Sequence, residues 1–287
     1  MPPELIDKQF VSEFLRHFRL SISALNTYLD CPLGFYFEHI LQLPSEPSAA
    51  AQYGQAVHFA LRKLFGEMLR SKEKQFPERD EFVNYFTAFL QHRQPYFEPK
   101  TFGDWLKKGQ GILPKYYQQF VNLWSKTVIV ERTVAAHIEG VPVRGVLDKI
   151  EFKLDNAATV VDYKTGKPND DRLRRPTAKN PNGGAYWRQL VFYKLLYENY
   201  RANLVRVTTG EISYLEPDGR GNFRTKTLDL TVRDADILRG LIVENWAKIQ
   251  AQQFDGCGKK TCQWCNFVKN NFTNASLRNE ATEDLDD

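Results

Sequence analysis

The 287-residue sequence lacks several patterns that would each assign a class of function. It contains no run of eighteen apolar residues, which excludes a typical membrane-spanning helix. The first residues, MPPELIDKQF, lack the apolar core of a secretory signal peptide, so we expect a cytoplasmic protein. No GxxxxGK followed by Ser or Thr occurs, which excludes a recognisable ATP motor. No Ser–His–Asp or Cys–His arrangement indicates a covalent nucleophile.

The composition suits a folded, basic protein. Hydrophobic residues make up 42% and aromatic residues 13% of the chain, which is enough for a packed core. The 39 lysines and arginines oppose 35 acids, but five of those acids lie in the base-free tail from Glu280 to Asp287. Residues 1–279 therefore carry 39 bases and 30 acids, a net charge of +9. This balance suits a polyanionic partner, and the acidic tail is predicted to be disordered.

Two β-strand patterns between residues 140 and 166 place acids among aliphatic side chains. In the first, GVPVRGVLDKIEF, Asp148 shares a face with aliphatic neighbours. In the second, TVVDYKTG, Asp162 and Lys164 share a face. An aspartate among aliphatic residues is costly unless something pairs with it. Two such acids beside a lysine indicate a Mg²⁺ or Mn²⁺ site for phosphodiester hydrolysis; a hairpin with surface Asp–Lys pairs is the alternative.

The pattern GxLD, followed about a dozen residues later by DYK, resembles motifs II and III of the PD-(D/E)XK nuclease superfamily, in particular its RecB, AddB and Cas4 branch. Gly54 and His58 lie four apart on a predicted helix over 49–70 and resemble motif I, whose histidine binds metal. A lone helical histidine is more often a packed or surface residue. Gln189 and Tyr193 resemble the QxxxY motif, or else continue an ordinary helical stripe.

The resemblance implies a fold and a set of roles. The fold class is α/β: a restriction-endonuclease-like core with a central mixed β-sheet flanked by helices, and a helical N-terminal part. The implied metal ligands are His58, Asp148, Asp162 and the carbonyl oxygen of Tyr163. The implied catalytic residues are Asp148, Asp162, Lys164, Gln189 and Tyr193. Glu131 is either a further acid near the metal or part of a surface salt bridge.

We predict one nuclease domain over 1–279, with a mainly helical part at 21–125, a β-rich catalytic core at 126–230, a C-terminal helix and cysteine loop at 231–270, and a disordered tail at 280–287. Further helices are predicted at 4–19, 79–93, 104–125, 185–200 and 231–251, and a β-hairpin at 203–217 and 222–230. The segment SISALNTYLDCPLGFYFEHIL predicts two short helices, the first capped by Ser23 and the second starting at Pro32.

A polar loop follows the DYK motif and runs to Gly184. It contains five bases, two acids and the turn sequence TAKNPNGG. We expect this loop to bind DNA, because phosphates supply most of the binding energy; a merely solvated loop is the alternative. The predicted DNA-binding residues, one of which lies on the following helix, are Lys167, Arg172, Arg174, Arg175 and Arg188.

Four cysteines form the remaining pattern. Cys31 precedes the catalytic motifs, while Cys257, Cys262 and Cys265 follow them with C-x4-C-x2-C spacing. Cytosolic proteins rarely use such an arrangement for disulfides, and four thiolates suit an iron–sulfur cluster or tetrahedral zinc. The resemblance to AddB and Cas4 implies a 4Fe–4S cluster. The family spacing C-x2-C-x5-C is not kept, because Asn271 occupies its third position, so zinc and free thiols stay open.

The implied function is a Mg²⁺- or Mn²⁺-dependent deoxyribonuclease, more exonuclease than endonuclease, that acts on single-stranded DNA or duplex ends in DNA repair or recombination. Larger members of the family join this module to a helicase, so a helicase chain or domain is a predicted partner. One alternative is a Cas4-like exonuclease in CRISPR adaptation, and another is an inactive nuclease fold that binds DNA. The intact Asp148, Asp162 and Lys164 argue against inactivity, because such costly residues are lost by drift once catalysis is unused.

Overall fold

The computed structural model of the protein describes residues 7–44, 48–200 and 204–273. The helices in these ranges are α1 (Lys8–His17), α2 (Ile22–Asp30), α3 (Pro32–Phe35), α4 (Ala49–Arg70), α5 (Arg79–His92), α6 (Pro99–Phe120), α7 (Ala185–Glu198), α8 (Val232–Gln250) and α9 (Gln263–Val268). The strands are β1 (Val128–Ile138), β2 (Val141–Phe152), β3 (Ala157–Lys164), β4 (Arg206–Tyr214) and β5 (Thr225–Asp229). None of the described helices combines the length and hydropathy needed to cross a membrane. The tail predicted to be disordered, 280–287, lies outside the described residues.

The five strands form one mixed sheet in the order β1-β2-β3-β4-β5. β2 pairs antiparallel with β3, β3 pairs parallel with β4, and β4 pairs antiparallel with β5. The parallel step needs a crossover, which α7 provides between β3 and β4. The predicted mixed sheet flanked by helices is therefore confirmed, as is the predicted hairpin that becomes β4 and β5.

A tight turn joins β2 to β3. Residues 155–156 both have positive φ (58° and 55°), as a type I′ hairpin turn requires. The register that follows pairs Lys149 with Val161. One step further along the two strands, Asp148 therefore lies directly opposite Asp162. The two acids of the sequence motifs are thus brought together by strand pairing.

Two compact units are distinguished by their internal contacts. The first comprises Met1–Ser45, Ile138–Val143 and Arg239–Asp287, and the second comprises Glu46–His137 and Arg144–Leu238. The second unit contains α4 to α7 and most of the sheet. The organisation of residues 1–279 as one domain stays a prediction.

Helices cover both faces of the sheet in the second unit. A hydrophobic cluster joins α4, α5 and α6 to Val161 and Tyr163 of β3. Because successive strand residues point to opposite faces, Val160 and its β4 neighbour Gly210 lie on the other side. There α7 packs so closely on β4 that a Cβ atom on Gly210 would come within 2.8 Å of Leu190. The sheet thus holds its polar residues between two helical layers.

Most predicted helices occur close to their predicted bounds, and the predicted helix over 49–70 matches α4. Two starts differ. The cap of α2 is Ser21 and not Ser23, since the Ser21 hydroxyl accepts the Ala24 N–H at 3.1 Å. Helix α6 begins at Pro99 and not at residue 104, because proline suits the first position of a helix, where no N–H partner is needed. The short helix α9 lies in a segment that the sequence predicts as a loop.

Candidate functional site

Polar side chains from five elements converge in the second unit. They are His58 of α4, Glu131 of β1, Asp148 of β2, Asp162 and Lys164 of β3, and Gln189 and Tyr193 of α7. The structure therefore brings together residues that are up to 135 positions apart in the sequence. Their contacts divide them into two connected groups.

The first group is built around His58. Its Nδ1 lies 3.4 Å from Asp148 Oδ2, and its Nε2 lies 3.1 Å from the carbonyl oxygen of Tyr163. The Tyr163 N–H donates to Asp148 Oδ2 at 3.0 Å, which holds that carboxylate in place. One ligand atom from each of His58, Glu131 and Asp148 lies within 4.8 Å of the others. Oxygen and imidazole ligands at this spacing fit a single divalent cation such as Mg²⁺ or Mn²⁺.

The carboxylates of the first group lie close enough to repel one another and to shift the pKa values of the group. Burial would lower the pKa of His58, but Asp148, Asp162 and Glu131 together raise it to about 9. Burial raises the pKa of Glu131, and the neighbouring Asp148 raises it further. Crowded carboxylates favour a positive charge between them, whether a protonated imidazole or a bound cation.

Glu131 holds an unusual backbone conformation. Its φ of 47° lies in the left-handed region, although it stands within strand β1. A residue other than glycine adopts this conformation at a cost of about 1–3 kcal/mol, and such strain clusters at functional sites. The sequence offers little signal for this placement, because a single glutamate on a strand is usually solvent-exposed.

The second group is a chain of contacts around Lys164. The lysine Nζ lies 2.7 Å from Asp162 Oδ2 and donates to Gln189 Oε1 at 2.8 Å. The Gln189 amide in turn donates to the Tyr193 hydroxyl at 2.9 Å. The Asp162 side chain is only 2% exposed, and burial raises its pKa to about 6 although Lys164 opposes the shift. These contacts therefore hold the ammonium group of Lys164 beside the buried carboxylate of Asp162.

Sequence reasoning missed Tyr186. Its ring centre lies 4.9 Å from Lys164 Nζ and 5.3 Å from the Arg172 guanidinium, and its hydroxyl accepts a hydrogen bond from Arg172 at 3.2 Å. Tyr186, Gln189 and Tyr193 are spaced i, i+3 and i+7, so they share one face of α7. That spacing is the signal that could have identified the residue.

Two of the five predicted DNA-binding side chains are held by buried groups of the protein, whereas Arg172 and Arg174 have partners at the surface, Tyr186 and Asp171. Arg175 donates to both carboxylate oxygens of Asp234, at 2.8 and 3.2 Å. Arg188 is buried and donates to the carbonyl oxygens of Asn182 and Gly183, at 2.9 and 2.7 Å. These contacts favour a structural role for both arginines. The other three, by contrast, are exposed side chains of the same loop or its short helical turn: Lys167, Arg172 and Arg174.

The partner of Arg175 is a buried acid with several donors. Asp234 also accepts hydrogen bonds from the Trp187 indole at 2.9 Å and from the Thr231 N–H and hydroxyl at 2.9 and 2.6 Å. Burial would raise the pKa of Asp234, but these hydrogen bonds lower it to about 2. One carboxylate thereby ties the basic loop to the beginning of α7 and of α8.

We expect Asp234→Asn to lower the free energy of unfolding by about 3–5 kcal/mol, because it leaves the Arg175 charge and several donors without their acceptor. Urea denaturation at neutral pH measures this. Since the folded-state pKa is depressed, the stabilisation is present above about pH 4 and is lost as the pH falls towards 2. The control Asp171→Asn breaks the exposed pair with Arg174 and should cost less than about 1 kcal/mol. Equal stability of the two variants would contradict this account.

The four cysteines meet in the first unit. Cys31 caps α3, where its Sγ accepts the Gly34 N–H at 3.4 Å. The other three sulfurs gather around it, with Sγ–Sγ distances of 3.9 Å (Cys31–Cys265), 3.8 Å (Cys257–Cys265) and 3.6 Å (Cys31–Cys262). All four lie within 4.8 Å of one another. The fold thus brings Cys31 into contact with cysteines that lie more than two hundred residues later in the sequence.

The sulfur positions match a tetrahedral ion. A zinc–sulfur bond of about 2.3 Å places ligand sulfurs about 3.8 Å apart around one ion. A 4Fe–4S cluster inserts an iron between each cysteine and the cluster body, so its ligand sulfurs stand farther apart. Burial raises the pKa of Cys31 to about 12; burial would also raise that of Cys262, but hydrogen bonds from Cys265 lower it to about 7. The donor set suits either metal centre.

Comparisons with known proteins give a family and a fold. The family model of the PD-(D/E)XK nuclease superfamily matches residues 19–269. A crystal structure of a protein from Eubacterium rectale named "Putative exonuclease" is 9% identical, with coverage of 93% of this chain and 92% of that chain and a TM-score of 0.54. The crystal structure of SSO0001 is 16% identical over 84% of this chain and 83% of that chain, but its TM-score of 0.32 does not establish a shared fold. A comparison with curated proteins finds no match.

The family assignment rests on the matched length and agrees with the architecture. The match covers most of the chain, including every residue of the two contact groups and all four cysteines. The first solved structure, at 9% identity, shows a similar fold alone. The chain belongs to the PD-(D/E)XK nuclease superfamily.

Proposed function

We propose that the protein is a Mg²⁺- or Mn²⁺-dependent deoxyribonuclease of the RecB, AddB and Cas4 branch. The observation that carries the proposal is the convergence of an imidazole, three carboxylates and an ion-paired lysine at one edge of the paired strands β2 and β3. Family membership supports hydrolysis of nucleic acid. The name of the similar structure supports exonuclease rather than endonuclease action.

The residues that would hold the cation are His58, Glu131, Asp148, Asp162 and the Tyr163 carbonyl oxygen. When bound, the cation polarises the phosphate and lowers the pKa of water. The Tyr163 N–H positions the Asp148 carboxylate to bind the cation, and Asp162 is held next to its counter-charge on Lys164. The protein thus supplies a set of ligands whose orientation does not depend on the substrate.

Lys164 is proposed to orient the attacking water or to stabilise charge on the phosphate. Its side chain is 22% exposed, so it reaches the solvent-facing side of the site, whereas the Asp162 side chain is buried. Gln189 holds the ammonium by a hydrogen bond, and Tyr193 fixes the Gln189 amide. A charge held in advance stabilises a transition state more than a mobile one, because no reorganisation is needed.

Incubation of the purified protein with labelled single-stranded and duplex DNA, in Mg²⁺, Mn²⁺ or EDTA, tests the proposal. We expect cleavage with either cation and none in EDTA. End-labelled substrates separate exonuclease from endonuclease action, because only an exonuclease releases the terminal nucleotides first. Protein that cuts no DNA form with either cation would instead support an inactive nuclease fold that binds DNA.

The exposed part of the basic loop is proposed to contact DNA phosphates. We expect the double variant Arg172→Gln/Arg174→Gln to bind DNA more weakly and to flatten the dependence of affinity on salt by about one to two units of slope, because up to two fewer counterions are released. Fluorescence anisotropy at several salt concentrations measures the slope. The control Arg175→Gln removes an arginine that is engaged with Asp234, so it should lower stability with a smaller change of slope. An unchanged slope in the double variant would indicate a solvated loop.

The cysteine cluster is proposed to hold a structural metal that stabilises the first unit. The resemblance implies a 4Fe–4S cluster, whereas the sulfur distances support a zinc ion. A role in DNA repair or recombination beside a helicase, and a Cas4-like role in CRISPR adaptation, both remain compatible with a nuclease of this branch. Purification of the protein with its partners from its source cell separates these two roles.

A further inference from the structure

A strip of aromatic and basic side chains runs along α4 and α5 in the second unit, outside the basic loop. We call it the aromatic–basic strip. Its members are Phe59, Arg62 and Lys63 of α4, Phe89 of α5, and Arg93 and Tyr96, which follow α5. Phe59, Lys63, Phe89 and Arg93 are partly exposed, Arg62 is exposed, and Tyr96 is 48% exposed. Phe89 also packs against the hydrophobic cluster, and contiguous exposed apolar surface rimmed by charges is typical of an interaction site.

The members of the strip are in continuous contact. The ring centres of Phe59 and Phe89 lie 4.7 Å apart. The Arg62 guanidinium lies 5.1 Å from the Phe59 ring centre, and the Arg93 guanidinium lies 5.2 Å from that of Phe89 and 5.7 Å from that of Tyr96. Each arginine is thereby oriented by a ring, which lowers the entropy cost of placing its charge.

The charges of the strip are little engaged by neighbouring acids, although the Arg62 charge opposes the rise in the pKa of Glu131. Within the described residues, none of Arg62, Lys63 and Arg93 forms an ion pair with a carboxylate. Other arginines of the same two helices do, since Arg70 pairs with Glu67 at 2.8 Å and Arg79 with Asp80 at 2.9 Å. A row of cations between aromatic rings that are at least partly exposed is complementary to a chain that carries both phosphates and flat bases.

The strip is continuous with the candidate catalytic centre. Arg62 lines the same crevice as His58, Glu131 and Asp148. It lies one helical turn after His58 on α4, so the two side chains share a face. A strand lying on the strip would therefore reach the ligand group at the end formed by Arg62.

We propose that the aromatic–basic strip binds single-stranded DNA and leads it into the catalytic centre. Unpaired bases would stack on the strip rings, while the arginines and lysine contact the phosphates. A duplex hides the faces of its bases, so it gains only the phosphate contacts. The part of the inference in which the bound strand enters the catalytic centre rests on the proposed nuclease function. The inference names single-stranded DNA as the substrate class. Stacking tolerates any sequence, because every base has an aromatic face.

Binding measured in EDTA tests the strip without catalysis. For a labelled twelve-nucleotide single strand, we expect Phe89→Leu/Tyr96→Ala to weaken affinity by about tenfold or more, measured by fluorescence anisotropy. Affinity for a duplex of the same length should change by less than about twofold. Tyr96→Phe keeps the ring and should bind like wild type. The control Arg79→Gln removes an exposed charge of the same helix outside the strip and should leave the single-strand preference unchanged.

Two outcomes would contradict the proposal that the strip binds single-stranded DNA. One is equal single-strand affinity of wild type and the double variant, with melting temperatures that show both to be folded. The other, which needs no variant, is photo-crosslinking of wild type to an iododeoxyuridine single strand that yields no adduct at Phe89 or Tyr96. Loss of single-strand affinity in a protein that cuts no DNA would support the strip and contradict the proposed nuclease. Normal DNA cleavage by wild type, together with unchanged single-strand affinity in the double variant, would support the proposed nuclease and contradict the binding role of the strip.

Discussion

Lys164→Met is expected to lower the rate of DNA cleavage by about 10²–10³-fold, the usual effect of removing one preorganised group that stabilises developing charge. Binding of DNA in EDTA should change much less, because the side chain is one of many cations that contact phosphates. A gel assay under single-turnover conditions measures the rate. The control Lys153→Met removes an exposed lysine beyond the end of β2 and should cleave like wild type. Cleavage by Lys164→Met within about tenfold of wild type would contradict the assigned role.

A second variant separates catalysis from folding at the same position. Lys164→Met leaves Asp162 buried without its counter-charge, which should cost about 3–5 kcal/mol of stability. The double variant Asp162→Asn/Lys164→Met removes both charges and should regain most of that stability. Its cleavage rate should nevertheless stay as low or fall further, because one proposed ligand of the cation is also lost. Recovery of activity together with stability would mean that Lys164 serves only the fold.

Cys31→Ser is expected to abolish binding of the proposed structural metal and to lower the melting temperature by on the order of 10 °C. Metal binding to a folded site adds to folding stability, and losing about 4 kcal/mol shifts the melting temperature by several degrees in a protein of this size. Cys31 is also the cap of α3, where its sulfur accepts a backbone N–H; serine keeps an acceptor at this position by supplying a hydroxyl oxygen. The control Thr261→Ala changes a neighbour of Cys262 that is not a ligand and should melt like wild type.

Elemental analysis of anaerobically purified protein identifies the metal. Zinc at one equivalent, without iron, agrees with the sulfur distances, whereas iron with acid-labile sulfide and a brown colour agrees with the family resemblance. Protein without any metal, and a Cys31→Ser variant as stable as wild type, would contradict a structural metal site. These measurements do not depend on whether the protein cuts DNA.

The sequence predicts the local structure well where one periodic pattern dominates. Helix α4 has an apolar face repeated over six turns, β2 carries a partly alternating pattern, and β3 is a short, continuously buried run that follows a turn. Helix starts are less predictable, because several residues near a terminus can cap it; Ser21 and Ser23 are an example. Helix α9 is too short for periodicity to identify.

The candidate site is predictable to the extent that its residues belong to short motifs. Asp148, Asp162 and Lys164 follow from the DYK and GxLD patterns, and the structure brings them together with His58. Tyr186 does not belong to any of the motifs; its helical spacing to Gln189 and Tyr193 suggests a shared face, but only the structure shows its contact with Lys164. The engagement of Arg175 by Asp234, 59 residues later, is likewise a property of the folded chain. Pairings over such distances leave no local pattern, since each partner alone is an ordinary charged residue.

The turn between β2 and β3 has a genetic consequence. Its residues 155–156 set the pairing that puts Asp148 opposite Asp162, and side chains alternate along each strand. Loss of a single codon there is expected to shift the pairing of the two strands by one residue. The buried side chains of one strand would then point to the opposite face of the sheet. An exchange of the neighbouring Leu154, which is 88% exposed, leaves the pairing intact. We therefore expect an exchange at Leu154 to be tolerated and a change in the length of this hairpin to disrupt the site.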